Sequence, residues 1–212
     1  MRIVSMSSKE RAAAIRNDAR ETAKTIKFGK SGNPMDFYSP MWADMKAHAL
    51  AGGGLISLTA ARIAENGRRT KIYTNIRDGF IKQWPELRGS FNGPLRQAPN
   101  KITATIEISG VDIKISGLFG VETSDTPPIY YYPYLYSDPK LKDSFAMTGI
   151  DILNTSIGKR TKVRIVVIDP SSIKSWAYDS AKNYTEYRAK FESELLLVIE
   201  EWRTKLEEYL SK

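Results

Sequence analysis

Three side chains in the middle of the chain have the types and spacing of a metal-dependent nuclease site. Glu107, Asp112 and Lys114 fall on two adjacent predicted strands, where the carboxylates could hold Mg²⁺ and the lysine could orient an attacking water. Asp112 and Lys114 also alternate with apolar residues, as exposed strand residues do. Because this alternation accounts for their positions, we favour a solvated strand surface and predict no catalytic or metal-ligating residue.

Composition narrows the chemistry further. The 212-residue chain has no cysteine and one histidine. Thiolate nucleophiles, disulfides and thiolate metal sites are therefore excluded, and a serine–histidine–aspartate triad would depend on His48 alone. Its neighbours Asp44 and Lys46 do not build a catalytic group with it. We predict neither enzymatic activity nor a cofactor.

The positive charge is concentrated in the first half of the chain. Residues 1–101 carry 18 Lys and Arg against 8 Asp and Glu, whereas residues 102–212 carry 14 against 16. Such an asymmetry favours an acidic partner, either double-stranded DNA or an acidic neighbouring subunit. A basic surface that serves solubility alone is the third interpretation.

Two predicted helices joined by Gly67 could form a helix-turn-helix, with residues 70–82 as the recognition helix. Any two helices joined by a glycine share this pattern, so DNA binding is kept as the alternative function. Its candidate residues combine these helices with a basic stripe on the first helix of the chain. They are Arg16, Arg20, Lys24, Arg68, Arg69, Lys71, Arg77 and Lys82.

The most unusual stretch lies at residues 127–136, which hold five of the eleven tyrosines and no charged residue. Its tyrosines are Tyr130, Tyr131, Tyr132, Tyr134 and Tyr136. Tyrosine offers a large contact area with one polar group, which favours a contact arm on a partner subunit. A segment that covers the core is the alternative, and base stacking is less favoured because no Lys or Arg separates the rings. Pro133 predicts an edge strand or an irregular arm.

The first ninety residues are predicted to be mostly helical. Ser7 and Glu10 form a capping-box pattern before a helix over residues 9–27. Its apolar stripe is narrow and rich in alanine, so we expect the helix to lie against another subunit or a larger body. Helical periodicity recurs over three further segments, at residues 40–50, 55–66 and 70–84.

Beyond residue 100 the periodicity becomes that of strands. Residues 102–115 alternate on either side of a Ser109–Gly110 turn and predict a hairpin. Residues 162–169 are apolar on both faces, which is typical of a strand in the middle of a sheet.

A long helix is predicted to close the chain, from Ile173 or Trp176 to residue 210. Residues 195–199 are apolar all round, so we expect that stretch to be enclosed. The helix is long for a domain of this size, so its end is expected to project or to pair with a neighbour. Trp202, Leu206 and Tyr209 are therefore added to the tyrosines as candidate interface residues.

These patterns predict an α+β fold: a mostly helical N-terminal half, an antiparallel sheet in the middle and a long C-terminal helix packed on the sheet. The regions would be residues 1–90 and 91–212, or one continuous domain. No apolar run is long enough for a membrane helix, and no secretory signal is evident. The expected location is the cytoplasm, or a virion if the chain is viral.

The predicted function is that of a non-enzymatic subunit of a larger homo-oligomeric particle. Its partners would be copies of itself and other subunits, and the basic half could meet double-stranded DNA. A phage or virus neck, connector or tail-completion protein would fit the size and the basic half, by analogy alone.

Overall fold

A five-stranded sheet forms the centre of the molecule. The computed structural model describes residues 6–29, 37–108, 110–161 and 163–212. The strands are β1 Arg96–Gln97, β2 Ala104–Ile108, β3 Val111–Ile115, β4 Phe119–Glu122, β5 Ile129–Pro133, β6 Arg164–Asp169 and β7 Lys174–Ala177. The sheet has the order β1–β4–β5–β6–β7, and β2 and β3 form the predicted hairpin as a separate pair.

The longer helices of the described residues are α1 Ser8–Phe28, α2 Ser39–Ala51, α3 Leu55–Glu65, α4 Thr70–Arg88, α5 Asp143–Leu153 and α6 Thr185–Leu210, and a π-helical segment Asn154–Gly158 and a short helical turn Lys159–Thr161 follow α5. The predicted capping box begins α1: the Ser7 side chain accepts from the Glu10 N–H, and the Glu10 carboxylate accepts from the Ser7 N–H at 3.0 Å. The hydrogen bonds from Ser7 lower the pKa of Glu10. None of the helices in the described ranges is long and apolar enough to cross a membrane.

Helices cover the sheet on both faces. On one face, α2 and α4 pack on Phe119, Tyr131 and Val166. On the other, α5, the hairpin and the first part of α6 pack on Tyr130, Ile165 and Val167. Strand β6 therefore contributes alternate side chains to two cores. Its predicted place in the middle of the sheet is confirmed, because it pairs with β5 on one side and β7 on the other.

The α+β prediction is confirmed, with one correction to the sheet. The sheet is mixed rather than antiparallel, because β5 and β6 run parallel while the other pairs are antiparallel. A parallel pair needs a crossover connection, and α5 supplies it. The sequence pattern gives strands and faces but contains no direct signal for the relative direction of two strands.

The tyrosine-rich stretch is an interior strand rather than an edge strand or a free arm. Strand β5 pairs with both β4 and β6. Pro133 is tolerated because it is the last residue of the strand, and the next amide, that of Tyr134, donates to the Ile168 carbonyl at 2.8 Å. Proline therefore ends the pairing here without breaking it.

The last helix begins later than predicted. Residues 174–177 form strand β7 at an edge of the sheet, and Trp176 is one of its residues. The Asp169 carboxylate accepts from the Ser172 amide at 3.2 Å and caps a short turn. Ile173 then has a φ of 54°, in the left-handed region, and the chain returns antiparallel to β6. This local turn accounts for the late start of α6.

The helical and strand regions meet in space. The core on the first face combines side chains from before and after residue 90, such as Met41, Tyr73, Phe119 and Tyr131. The domain boundary near residue 90 stays a prediction. Side chains from both regions share one core on this face of the sheet.

Candidate contact surface and aromatic pocket

The first and last helices pair with each other along their length. Arg11 of α1 donates to Glu194 of α6 at 3.1 Å, and Trp202 Nε1 of α6 donates to Asp18 of α1 at 2.8 Å. Both residue numbers rise together from one contact to the next, so the helices run parallel. The predicted apolar stripe of α1 is covered by the same chain up to Ala23, so of the two expected covers, another subunit or a larger body, the body of this chain supplies it. Ile15, Ala19 and Ala23 are buried in it.

The same pairing removes part of the predicted interface on α6. Trp202, Leu206 and Tyr209 are half-buried, and the Trp202 indole is used in the contact with Asp18. We expected these residues to face a partner, but they lie on the side of α6 that is already partly covered. The exposed part of each side chain is still predicted to contribute to a contact between chains.

The outer side of α6 carries exposed leucines. Leu196 is 40% exposed and Leu197 is 62% exposed, so the prediction that residues 195–199 are enclosed is wrong for these two. Leu195 and Val198 take the inward positions, because a helix on the surface of a body has only one covered side. An exposed pair of adjacent leucines is apolar surface that no described residue of this chain covers.

The outer side of α1 is basic. Arg16, Arg20, Lys24 and Lys27 are all exposed and follow each other at helical spacing. Arg20 and Lys24 contact Glu21 on the same helix at 3.6 and 2.8 Å, and the hydrogen bond from Lys24 lowers the pKa of Glu21. By sequence α1 carries a net charge of +3 and α6 a net charge of −3. The two helices therefore present outer faces of opposite sign.

Two apolar side chains lie exposed at the end of α1. Ile26 is 60% exposed and Phe28 is 83% exposed. Ile26 continues the inward stripe, but at the register set by the Asp18–Trp202 contact it lies level with the last residues of α6. Helix α6 therefore ends level with Ile26 and does not cover its side chain.

Three of the five predicted interface tyrosines are core residues. Tyr130, Tyr131 and Tyr134 are 2%, 1% and 3% exposed, so in this fold they are not available to a partner. Two of the hydroxyls have internal acceptors: Tyr130 donates to Asn100 O at 3.1 Å and Tyr134 to Pro139 O at 2.6 Å. Burial raises the pKa of Tyr131 to about 12. The alternative interpretation, a segment that covers the core, describes these three.

The other two tyrosines line a pocket. Tyr132 and Tyr136 meet Tyr38 and Trp42 around a space of about 290 Å³. The Tyr38 and Tyr136 rings are in edge contact at 4.7 Å, and Trp42 Nε1 donates to Gly117 O at 2.9 Å. Several aromatic rings with few polar groups favour contact with a flat or extended apolar partner. Tyr38 had no signal in the sequence, because only tertiary packing brings it to Tyr132 and Tyr136.

The predicted nucleic-acid residues are divided between surface and core. Arg69 is 2% exposed and donates to Glu65 at 3.0 Å and to Arg62 O at 3.1 Å, so it is unavailable to a phosphate. Arg77 is largely covered and pairs with Asp78 at 2.7 Å. Arg68, Lys71 and Lys82 are exposed, as are the three residues on α1.

A helix–turn–helix is present in outline, with a 3-10 turn at Gly67–Arg69 between α3 and α4. The inner side of α4 is buried, including Tyr73, Phe80 and Trp84, so α4 is a core helix with one narrow exposed side. Recognition helices expose their first turns to the major groove. Here Arg69, the residue before α4, instead forms an ion pair with Glu65 of the same chain.

The hairpin carboxylates face solvent. Glu107 is directly opposite Asp112, and Lys114 is opposite Thr105, all four exposed. Among the described residues no group of three or more His, Asp or Glu side chains could hold a metal ion. This placement fits the strand-surface interpretation of these residues.

Two buried acidic groups had no signal in the sequence. Asp44 is 5% exposed and accepts from Arg62 Nε at 3.1 Å and Nη2 at 3.3 Å, a two-point contact that ties α2 to α3. Asp169 is fully buried; burial raises the pKa of its carboxyl, and the hydrogen bonds from Ser172 oppose that effect. Asp44 and Arg62 follow no recognisable spacing along the chain, and the local cap of the Ser172 amide by Asp169 predicts a turn but not the burial of the carboxylate.

Comparison with known proteins adds no name to this geometry. No protein-family model matches the chain, and comparison with curated proteins and with solved structures gives no match.

Proposed function

We propose that this chain is a non-enzymatic assembly subunit whose copies associate through the outer sides of α1 and α6. The observation that carries the proposal is the exposure of Leu196 and Leu197, at 40% and 62%, on a helix whose other side is already paired. Apolar surface of this kind is a usual component of contacts between proteins.

A second copy of the chain is the favoured partner, because the same molecule carries a basic surface with an exposed aromatic ring that could contact the acidic, apolar outer side of α6. The outer side of α6 joins the two leucines to Glu200 and Glu207, which are exposed. The outer side of α1 offers exposed basic residues and the exposed ring of Phe28. A contact between two different surfaces of identical chains is head-to-tail, and it gives a ring when the rotation closes.

The narrower form of the proposal is a ring subunit of a virus or phage neck, connector or tail. It rests on analogy: basic residues on a ring subunit would suit a position near packaged double-stranded DNA. In that form the partners are copies of the chain and other subunits, and the location is the virion.

The test is the mass of the purified chain in solution. We expect light scattering to show a species larger than a dimer that grows with protein concentration. Leu197→Gln is expected to shift the protein to monomer, because it removes apolar area from the centre of the contact. Ile56→Gln is the matched control: Ile56 is 64% exposed on α3, away from the proposed contact, and its variant should assemble like the parent.

Charge reversal tests the head-to-tail arrangement. Arg20→Glu and Glu200→Lys should each weaken assembly, and the two variants mixed together should associate through the restored opposite charges. A parent protein that is monomeric at every concentration and salt level contradicts the proposal. Assembly that requires added double-stranded DNA would support the DNA-binding alternative instead.

A further inference from the structure

A second space lies on the face of the sheet that carries α5 and α6. It is a cavity of about 140 Å³ between the hairpin, α5 and α6. It is lined by four isoleucines of the hairpin, by residues of α5 and α6 such as Gly149 and Phe191, and by Tyr132. The wall residues of the described chain include no charged side chain, and the Tyr132 hydroxyl is their only polar side-chain group.

This space is partly open to solvent, and it is larger than the voids that close-packed cores usually leave. Side chains in cores interdigitate with few voids larger than a water molecule. An apolar cavity of roughly 150 Å³ in another protein stays dry and binds benzene. The cavity under the hairpin has nearly the same volume and the same kind of wall. Water gains no hydrogen bonds from isoleucine and phenylalanine, so an apolar molecule is the favoured occupant.

The cavity has an open side. Ile106, Ile113 and Leu195 are only half-buried, whereas Ile108, Ile115 and Phe191 are buried. The half-buried set marks where the cavity meets solvent, between the hairpin and α6. The hairpin is a two-stranded pair outside the main sheet, and such a pair is marginally stable without its packing partners. This wall can therefore move aside more easily than α5 can.

Tyr132 gives the cavity one directional group. The same ring also lines the aromatic pocket, so it separates the two spaces. Burial raises the pKa of the Tyr132 phenol, and the neighbouring Tyr136 adds to this effect, so the hydroxyl keeps its proton at neutral pH. A neutral hydroxyl can donate one hydrogen bond or accept one.

We propose that this cavity is a binding site for a small neutral aromatic molecule of the size of benzene or indole. The apolar walls select against charged ligands, because a charge here would find no partner. The volume selects against larger ring systems. The site is on the opposite side of α6 from the exposed leucines, so the inference does not depend on the proposed function.

Indole is the probe for this site. We expect indole to shift the methyl resonances of the hairpin isoleucines in the full-length protein and to raise its melting temperature, since a ligand that binds only the folded state stabilises it. Leu195→Phe and Ile106→Phe fill the cavity from its half-buried side, where a larger side chain is tolerated. Each should weaken indole binding by about tenfold or more.

Two controls decide the location. Ile63→Phe places the same ring at a half-buried position on the other face of the sheet and should bind indole like the parent. Tyr136→Leu alters the aromatic pocket alone and should also leave binding intact. The proposal is overturned if saturating indole leaves the hairpin methyls unchanged, or if both filled variants bind it as tightly as the parent. Binding lost only in Tyr136→Leu would assign indole to the aromatic pocket and also overturn it.

Discussion

The packing against the two faces of the sheet differs at particular positions. On the face covered by α2 and α4, the backbone of Gly79 lies so close to the turn after β6 that a Cβ would be 1.8 Å from Pro170 O. Beneath α5 and the hairpin, on the other face, a cavity of about 140 Å³ remains. At Gly79 the first face, called the dense face below, has no room for a methyl group, and beneath the hairpin the other face has room for a ring, although a Cβ at Gly120 would also meet Tyr130 of that face at 2.5 Å.

Charge is also used differently on the two faces. Arg62 and Arg69 serve internal ion pairs with Asp44 and Glu65 on the dense face. On α1 and α6 the charged residues lie mostly at the surface. Part of the positive excess of the first half therefore serves the fold. Some of its arginines hold helices together, and only the remaining basic residues can attract a partner.

The largest effect is expected at the close contact on the dense face. Gly79→Ala should destabilise the fold by about 3 kcal/mol, because the new methyl meets a backbone carbonyl that cannot turn away. Urea unfolding measures this loss. Gly67→Ala, where no atom lies within 4 Å of the new Cβ, should change stability by less than about 0.5 kcal/mol. Equal effects at both glycines would contradict the close contact between Gly79 and the Pro170 carbonyl.

The buried carboxylate of the dense face comes next. Asp44→Asn should cost about 2 kcal/mol, because it weakens two charge-assisted hydrogen bonds from Arg62. Asp78→Asn alters an ion pair whose carboxylate is half exposed and should cost less than about 0.5 kcal/mol. Thermal unfolding of both variants gives the comparison, and a larger loss at Asp78 would contradict it.

The pairing of α1 with α6 should be weaker than either of these contacts. Trp202→Phe keeps an aromatic ring but removes the hydrogen bond to Asp18, and we expect a local loss of about 1 kcal/mol. Hydrogen exchange of the α1 amides should report it before global unfolding does. Asp18→Ala should have the same effect, and combining the two changes should add little, since both break one contact.

The smallest effect concerns pH. Because burial raises the pKa of Asp169 above its usual 3.8, the folded state holds that proton more tightly than the unfolded state. The resulting stabilisation is complete below pH 3.8 and is lost as pH rises through the folded-state pKa.

The Asp169→Asn variant has no carboxyl group to titrate at this position, and its side chain can still cap the turn. The stability of the parent minus that of the variant should therefore fall as pH rises from about 3 to about 7, as measured by urea unfolding. A difference that is constant, or that rises with pH, would show that the Asp169 carboxyl ionises at least as readily in the folded chain as in the unfolded chain.

Local patterns predicted the elements well. The capping box of α1, the hairpin and the two-faced strand β6 were all readable, because each depends on residues a few positions apart. The candidate site was predicted less well. Tyr130, Tyr131 and Tyr134 were assigned to a surface, and their burial depends on β4 and β6, which flank them in the sheet.

The fold class, the helical and strand periods and the charge of each helix can be read from residues that are close together in the chain. Which element covers which depends on contacts between distant parts of the chain. The apolar stripe of α1 was visible in the sequence, but its cover is α6, more than 180 residues away at Glu194. The same holds for Leu197 and for Arg69: periodicity defines a side of a helix, whereas exposure depends on the neighbour that the fold brings there.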